Sequence, residues 1–204
     1  MKKLSGTVVL VMLFASAALA GNYTLKIDGK KHEIDLGAKT TVTLADGRKV
    51  EVELEKKTIA DFKTNNFSFS HPSHVTPSRT DLGDGIHQTM MATPSGTMVM
   101  IQEYSGTNPS GLVDFMLTEL LKEEAEYGYD IIKTAASKQL ADGKTMTGKR
   151  AVSKHRTDEY ERYVLCYGIR DAGVLILTQV EKAASRQDLT MIDLFWKSLQ
   201  VTIK

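Results

Sequence analysis

The sequence has 204 residues, 26 lysines and arginines against 25 aspartates and glutamates, a formal net charge of +1 and one cysteine. A balance this close to neutral argues against a nucleic-acid binder, whose affinity rests on neutralising phosphates. A lone cysteine excludes an internal disulfide, so an apolar core must carry the stability.

The chain opens with Lys2 and Lys3, an apolar stretch from Val8 to Phe14, and Ala18-Leu19-Ala20. These are the three parts of a cleavable secretory signal peptide, residues 1–20, cut after Ala20. The apolar stretch is shorter than the about 20 residues a membrane span needs, and a retained anchor is the alternative. Gly21 rather than cysteine follows the cut, which speaks against a lipid anchor. The expected product is bacterial and periplasmic or secreted. Cleavage removes two lysines and no acids, leaving 24 basic residues against 25 acidic ones.

Residues 22–57 follow a period of two: Tyr23, Leu25 and Ile27, then Ile34 and Leu36, Val42 and Leu44, and Val50, Val52 and Leu54. That is the pattern of strands with one buried face. Asp28-Gly29 and Asp46-Gly47 stand where tight turns belong. The stretch from Asp28 to Leu36 is echoed from Asp46 to Leu54, which predicts a duplicated hairpin, a small four-stranded unit. Such a unit is too small to stand alone. It either docks on its own larger domain or recruits a partner.

Lys56 to Asp61 reads as a linker, and a second domain spans residues 62–204. Its predicted strands are Asn66–Ser70, Ile86–Ala92, Thr97–Tyr104, Tyr129–Gln139, Lys144–Ser153, Tyr160–Ile169, Val174–Glu181 and Gln200–Ile203. Turns are marked by Pro94-Ser95-Gly96, Asp142-Gly143 and Asp171-Ala172-Gly173. One predicted helix runs from Ser110, as N-cap, to Tyr127, with Gly128 as its stop. The other runs from Ser185 to Ser198, where Ser185 and Asp188 form a capping box. Hairpins interrupted by single helices predict an α+β fold, an antiparallel sheet flanked by helices in an α/β/α sandwich.

The strand Phe67-Ser68-Phe69-Ser70-His71-Pro72, a helix between strands and the closing Leu194-Phe195-Trp196-Lys197-Ser198-Leu199-Gln200-Val201 resemble the PsbP-like superfamily, with its DcrB-like periplasmic proteins. The resemblance covers about residues 62–204 and leaves the duplicated hairpin unassigned. It implies an antiparallel sheet between helices and non-enzymatic accessory or binding roles. It supplies no shared catalytic residues.

No nucleophile elbow, zinc-protease helix motif or phosphate-cradling glycine loop occurs in the sequence. Asp81-Leu82-Gly83-Asp84-Gly85 reads as an acidic turn without the later glutamate of a calcium loop. His71 and His74 are a candidate metal pair that needs further ligands, Asp81 or Asp84 being the nearest. A second candidate group is His87, Met91, Met98 and Met100. A two- or four-residue loop at Thr93–Gly96 would put these four on one sheet face, as soft ligands for copper(I). Core packing is the competing reading. Cys166 lies in a strand-like run, as a buried thiol, a nucleophile or an intermolecular bridge. The mixed-charge run from Lys154 to Arg162 reads as an exposed loop or a protein-binding rim.

The expected function is that of an exported, non-enzymatic accessory protein without a cofactor. It would bind a protein or an envelope component, with residues 22–57 as one possible surface. A periplasmic small-ligand or metal carrier and an unrecognised hydrolase are the alternatives.

Overall fold

The computed structural model describes residues 23–203. The expected signal peptide lies outside them. The chain divides into two compact units that part between Lys56 and Lys57.

The first unit holds β1 (Tyr23–Ile27), β2 (Lys30–Ile34), β3 (Lys39–Thr43) and β4 (Lys49–Glu53). These pair as two separate antiparallel hairpins, linked by a parallel bridge between Leu36 and Leu54. The repeated Asp-Gly is used in two ways. Asp28 and Gly29 both take positive φ, 48° and 78°, in a two-residue turn. At the second, Gly47 alone is left-handed (φ 83°) and closes a longer loop, in which the Leu44 amide donates to the Arg48 carbonyl. Ile34 and Val42 are the buried residues among those described in this unit.

The second unit contains β5 (Ile59–Lys63), β6 (Phe67–Pro72), β7 (Ser78–Gly83), β8 (Ile86–Ala92), β9 (Met98–Ser105), a short 3₁₀ turn (Pro109–Leu112), α1 (Val113–Glu126), β10 (Asp130–Gln139), β11 (Thr145–His155), β12 (Asp158–Ile169), β13 (Ala172–Glu181), α2 (Arg186–Ser198) and β14 (Gln200–Val201). Seven strands form one antiparallel sheet in the order β10-β11-β12-β13-β9-β8-β7, and β14-β6-β5 form a second, three-stranded sheet.

Cross-strand partners share a face, so the register sorts the large sheet into two sides. Val164, Cys166, Leu175, Leu177 and Ala151 pack against Val113, Leu117 and Leu121 of α1. On the opposite side Val99, Ile101, Leu165, Val174 and Ile176 meet α2, through Met191 and Phe195, and the small sheet, through Phe67, Phe69 and Val201.

The predicted α/β/α sandwich is therefore corrected. Strands make up 55% of the structure and helices 17%, and a large antiparallel sheet dominates. One face carries a single helix, and the other is shared between a helix and a second sheet. Two strands account for the error. β5 is a short strand, exposed at every second residue, whose first three residues fall in the segment read as linker. β7 is exposed along its whole length, so no buried face imprinted a period on its sequence.

The helix starts divide in the same way. Ser185 caps α2 as expected, its Oγ accepting from the Asp188 amide at 3.1 Å. Ser110 does not cap the first helix. Helix α1 starts after Leu112 without a side-chain cap, and it is the preceding 3₁₀ turn that is capped, by Asn108, whose Oδ1 accepts the Ser110 amide at 3.0 Å, with Pro109 opening the turn. Gly173 belongs to β13 rather than to a turn, paired with Gly168.

Candidate functional site

The β8–β9 turn, the first turn of α2 and the segment around His74 enclose a cleft of about 490 Å³. Thr93, Pro94, Ser95 and Gly96 form the turn, in which Gly96 takes φ 87° and the Thr93 amide donates to the Thr97 carbonyl at 2.9 Å. This brings Ser95 over the helix start. The Ser95 and Ser185 hydroxyls donate to Asp188 Oδ2 at 2.8 and 2.7 Å. Burial of Asp188, which is 4% exposed, pushes its carboxyl up. The hydroxyls of Thr93, Ser185 and Ser95 outweigh that and hold it below the ordinary carboxylate value.

A carboxylate held in this way accepts protons poorly. It fixes the start of α2 to the β8–β9 turn. His74 and Gln187 complete the rim as exposed side chains. Among the described residues no histidine nitrogen hydrogen-bonds to a serine hydroxyl or to the Cys166 sulfur.

Glu103 of β9, 2% exposed, anchors a second cluster. It accepts from Thr64 Oγ1 at 3.0 Å, Asn66 Nδ2 at 3.1 Å and Arg79 at 2.6 Å. The β5–β6 turn and edge strand β7 are thereby fastened to the large sheet. Arg162 of β12 holds a third. Its guanidinium donates to both oxygens of Glu124 on α1 at 2.9 and 2.6 Å, to Ser153 at 2.8 Å and to Gln179 at 2.8 Å. Arg162 reads in the sequence as part of the strand Tyr160–Ile169 but is counted there with the exposed charged run that leads into that strand. It lies instead on the buried α1 face, two residues from Val164, and the reversal at Arg156 (φ 54°) is tight. The alternation of Arg162 with Val164 and Cys166 was the signal that could have found it.

Of the metal candidates, His71 is buried with its Nδ1 3.0 Å from the Pro72 carbonyl and its ring against Phe69. His74 is exposed at the cleft. Asp81 faces His87 across β7 and β8 at 3.8 Å, not the His71/His74 pair. The grouping of His87 and Met91 with Met98 and Met100 is corrected by the register. Ala92 pairs with Met98 and Met91 with Val99, so five residues separate the last paired positions. That odd number sends His87 and Met91 to one face and Met98 and Met100 to the other. Among the described residues no three His, Cys, Asp or Glu side chains converge as metal ligands. Cys166 is 5% exposed, and burial pushes its thiol up to about 11.

A last concave feature lies on the α1 side. Thr118, Leu121, Lys122 and Ala125 of α1 face Ile131 and Lys133 of β10 across an open groove of about 720 Å³, with Glu126 at one end. β10 is the edge of the large sheet, paired with β11 in unbroken register over ten residues. Its other side meets no strand among the described residues.

No family model matches the chain, and no curated protein does. A solved protein from Bacteroides thetaiotaomicron is similar over 71% of this chain and 48% of its own, at 14% identity and a TM-score of 0.37. The chain thus spans about half the length of that protein.

Proposed function

We propose that this chain is an exported binding protein that holds another protein or an envelope component outside the cytoplasm, without a chemical step. Its buried charged groups support that reading because each is engaged in the fold. Asp188 secures α2, Glu103 secures β5–β6 and β7, and Arg162 secures α1. The carrying observation is the free side of β10, ten residues of strand whose outward backbone groups have no partner strand among the described residues. Edge backbone of this kind is a template for recruiting a further segment. No helix among the described residues is long and apolar enough to cross a membrane. Export rests on the leader read in residues 1–20.

The test is capture from a bacterial envelope extract by the chain from Gly21 onward, followed by purification of the captured species and rebinding. The reading expects saturable, stoichiometric binding, and N-terminal sequencing of the expressed protein that begins at Gly21. Ester or peptide turnover abolished by Ser95→Ala or Cys166→Ser would contradict it. So would the absence of any saturable partner.

A further inference from the structure

We infer that the groove between α1 and β10 takes an extended peptide segment of a partner protein, added to the sheet as an eighth strand with an acidic side chain between Lys122 and Lys133. This rests on the binding-protein reading and gives it a place and a chemistry.

The two edges of the large sheet differ. β7 is six residues long, its register slips between Asp81 and Gly83, and it carries the Arg79–Glu103 ion pair and Asp81, 3.8 Å from His87. A bulge and charges of that kind blunt an edge. β10 is ten residues long and has no bulge, and Ile132 stands 58% exposed on its face away from α1. An added strand would cover Ile132 with one set of alternate side chains and send the other set into the groove.

The groove sets what that second set must be. Thr118, Leu121, Lys122 and Ala125 recur at the three- and four-residue spacing of a single helix face. α1 turns into β10 through Tyr127, Gly128 and Tyr129. Gly128 takes φ 80° and the Tyr129 amide donates to the Glu124 carbonyl at 3.0 Å, so this end is closed. Four residues of helix advance about 6 Å and two residues of strand about 6.6 Å. These similar rises carry Lys122 and Lys133 away from the closed end in step, and both line the groove beyond Glu126 and Ile131. Neither lysine has an ion-pair or hydrogen-bond partner among the described residues. Two unpaired cations above the apolar floor of Leu121 and Ala125 match one carboxylate, with apolar side chains two positions to either side.

The probe is the capped peptide Thr-Leu-Thr-Glu-Thr-Leu-Thr, which presents leucine, glutamate and leucine on one face in either direction. It is titrated against the full chain from Gly21 onward by fluorescence anisotropy, and hydrogen exchange locates it. The expected result is saturable binding with slowed amide exchange confined to β10. Lys122→Glu together with Lys133→Glu should weaken it about tenfold, two exposed charge contacts being lost. The same peptide N-methylated at alternate residues, which leaves the protein untouched, should not bind. The inference is overturned by no binding at millimolar peptide, by binding indifferent to N-methylation, by protection at β7, or by a dimer that protects β10 without peptide. If an envelope partner is captured but leaves β10 exchange unchanged, the inference fails while the binding-protein reading stands.

Discussion

Arg162 and Glu124 meet where β12 passes under α1, with side chains 6% and 14% exposed. Two charges withdrawn from water so far are tolerated only as a pair, and removing one strands the other. Arg162→Ala should destabilise the protein by about 3–5 kcal/mol in urea denaturation. Replacing both residues with apolar ones of similar volume should cost much less. Asp188 gives a pH-dependent counterpart. Its folded carboxyl titrates below the ordinary value of 3.8 because Thr93, Ser185 and Ser95 outweigh its burial. Its contribution is therefore complete at neutral pH and is lost as pH falls below about 4, through the folded value. Asp188→Asn should cost about 1–2 kcal/mol at pH 7 and flatten the acid side of the stability profile, read by thermal melts from pH 2 to 7. Cys166, with its thiol raised to about 11 by burial, should resist a thiol reagent at pH 8 until the protein is unfolded. Reaction in the native state would show that the β12 face opens.

Between elements, closeness of approach is decided by glycine. Gly168 and Gly173 pair across β12 and β13, and a Cβ on either would run into Asn108 or Pro109 of the 3₁₀ turn that leads into α1. The two glycines seat that turn, and with it the helix that walls the β10 groove. Gly173→Ala should displace the turn at a cost of about 1–3 kcal/mol. It should also loosen peptide binding at β10, measured by anisotropy, more than a surface change of equal destabilisation would. Gly148→Ala would instead strike the Val164 backbone between β11 and β12. The sequence made the interior strands legible because burial on one or both faces left a period-two or continuous apolar record. It named Ile86–Ala92 to the residue and both helices closely. β7 escaped because a strand exposed along its whole length leaves no such record, and β5 because it is short, buries no residue fully and was cut by the linker boundary at Asp61. The metal-ligand grouping failed on one residue of loop length, since parity in a hairpin depends on the turn and Gly96 selects an odd one. Glu103 and Arg162, alternating with apolar neighbours, looked like ordinary surface charges, because their partners lie 24 and 38 residues away.

At the scale of the molecule, the chain parts between Lys56 and Lys57, and both hydrophobic clusters lie within residues 57–204. A unit with its own two-sided core should fold alone. Residues 57–204 expressed separately are expected to unfold cooperatively in urea, and a non-cooperative profile would make the hairpin unit part of the core. The same division separates two routes to a partner, through residues 22–57 or through the large sheet. Our account assigns binding to the sheet, at the one long edge its own strands leave open. The most direct measurement is hydrogen exchange on the full chain from Gly21 onward, with and without the partner captured from the envelope. The account predicts slowed exchange at alternate amides of Asp130–Gln139 and little change in β7 or in residues 23–53. Protection in the hairpins with β10 exchanging freely would contradict it.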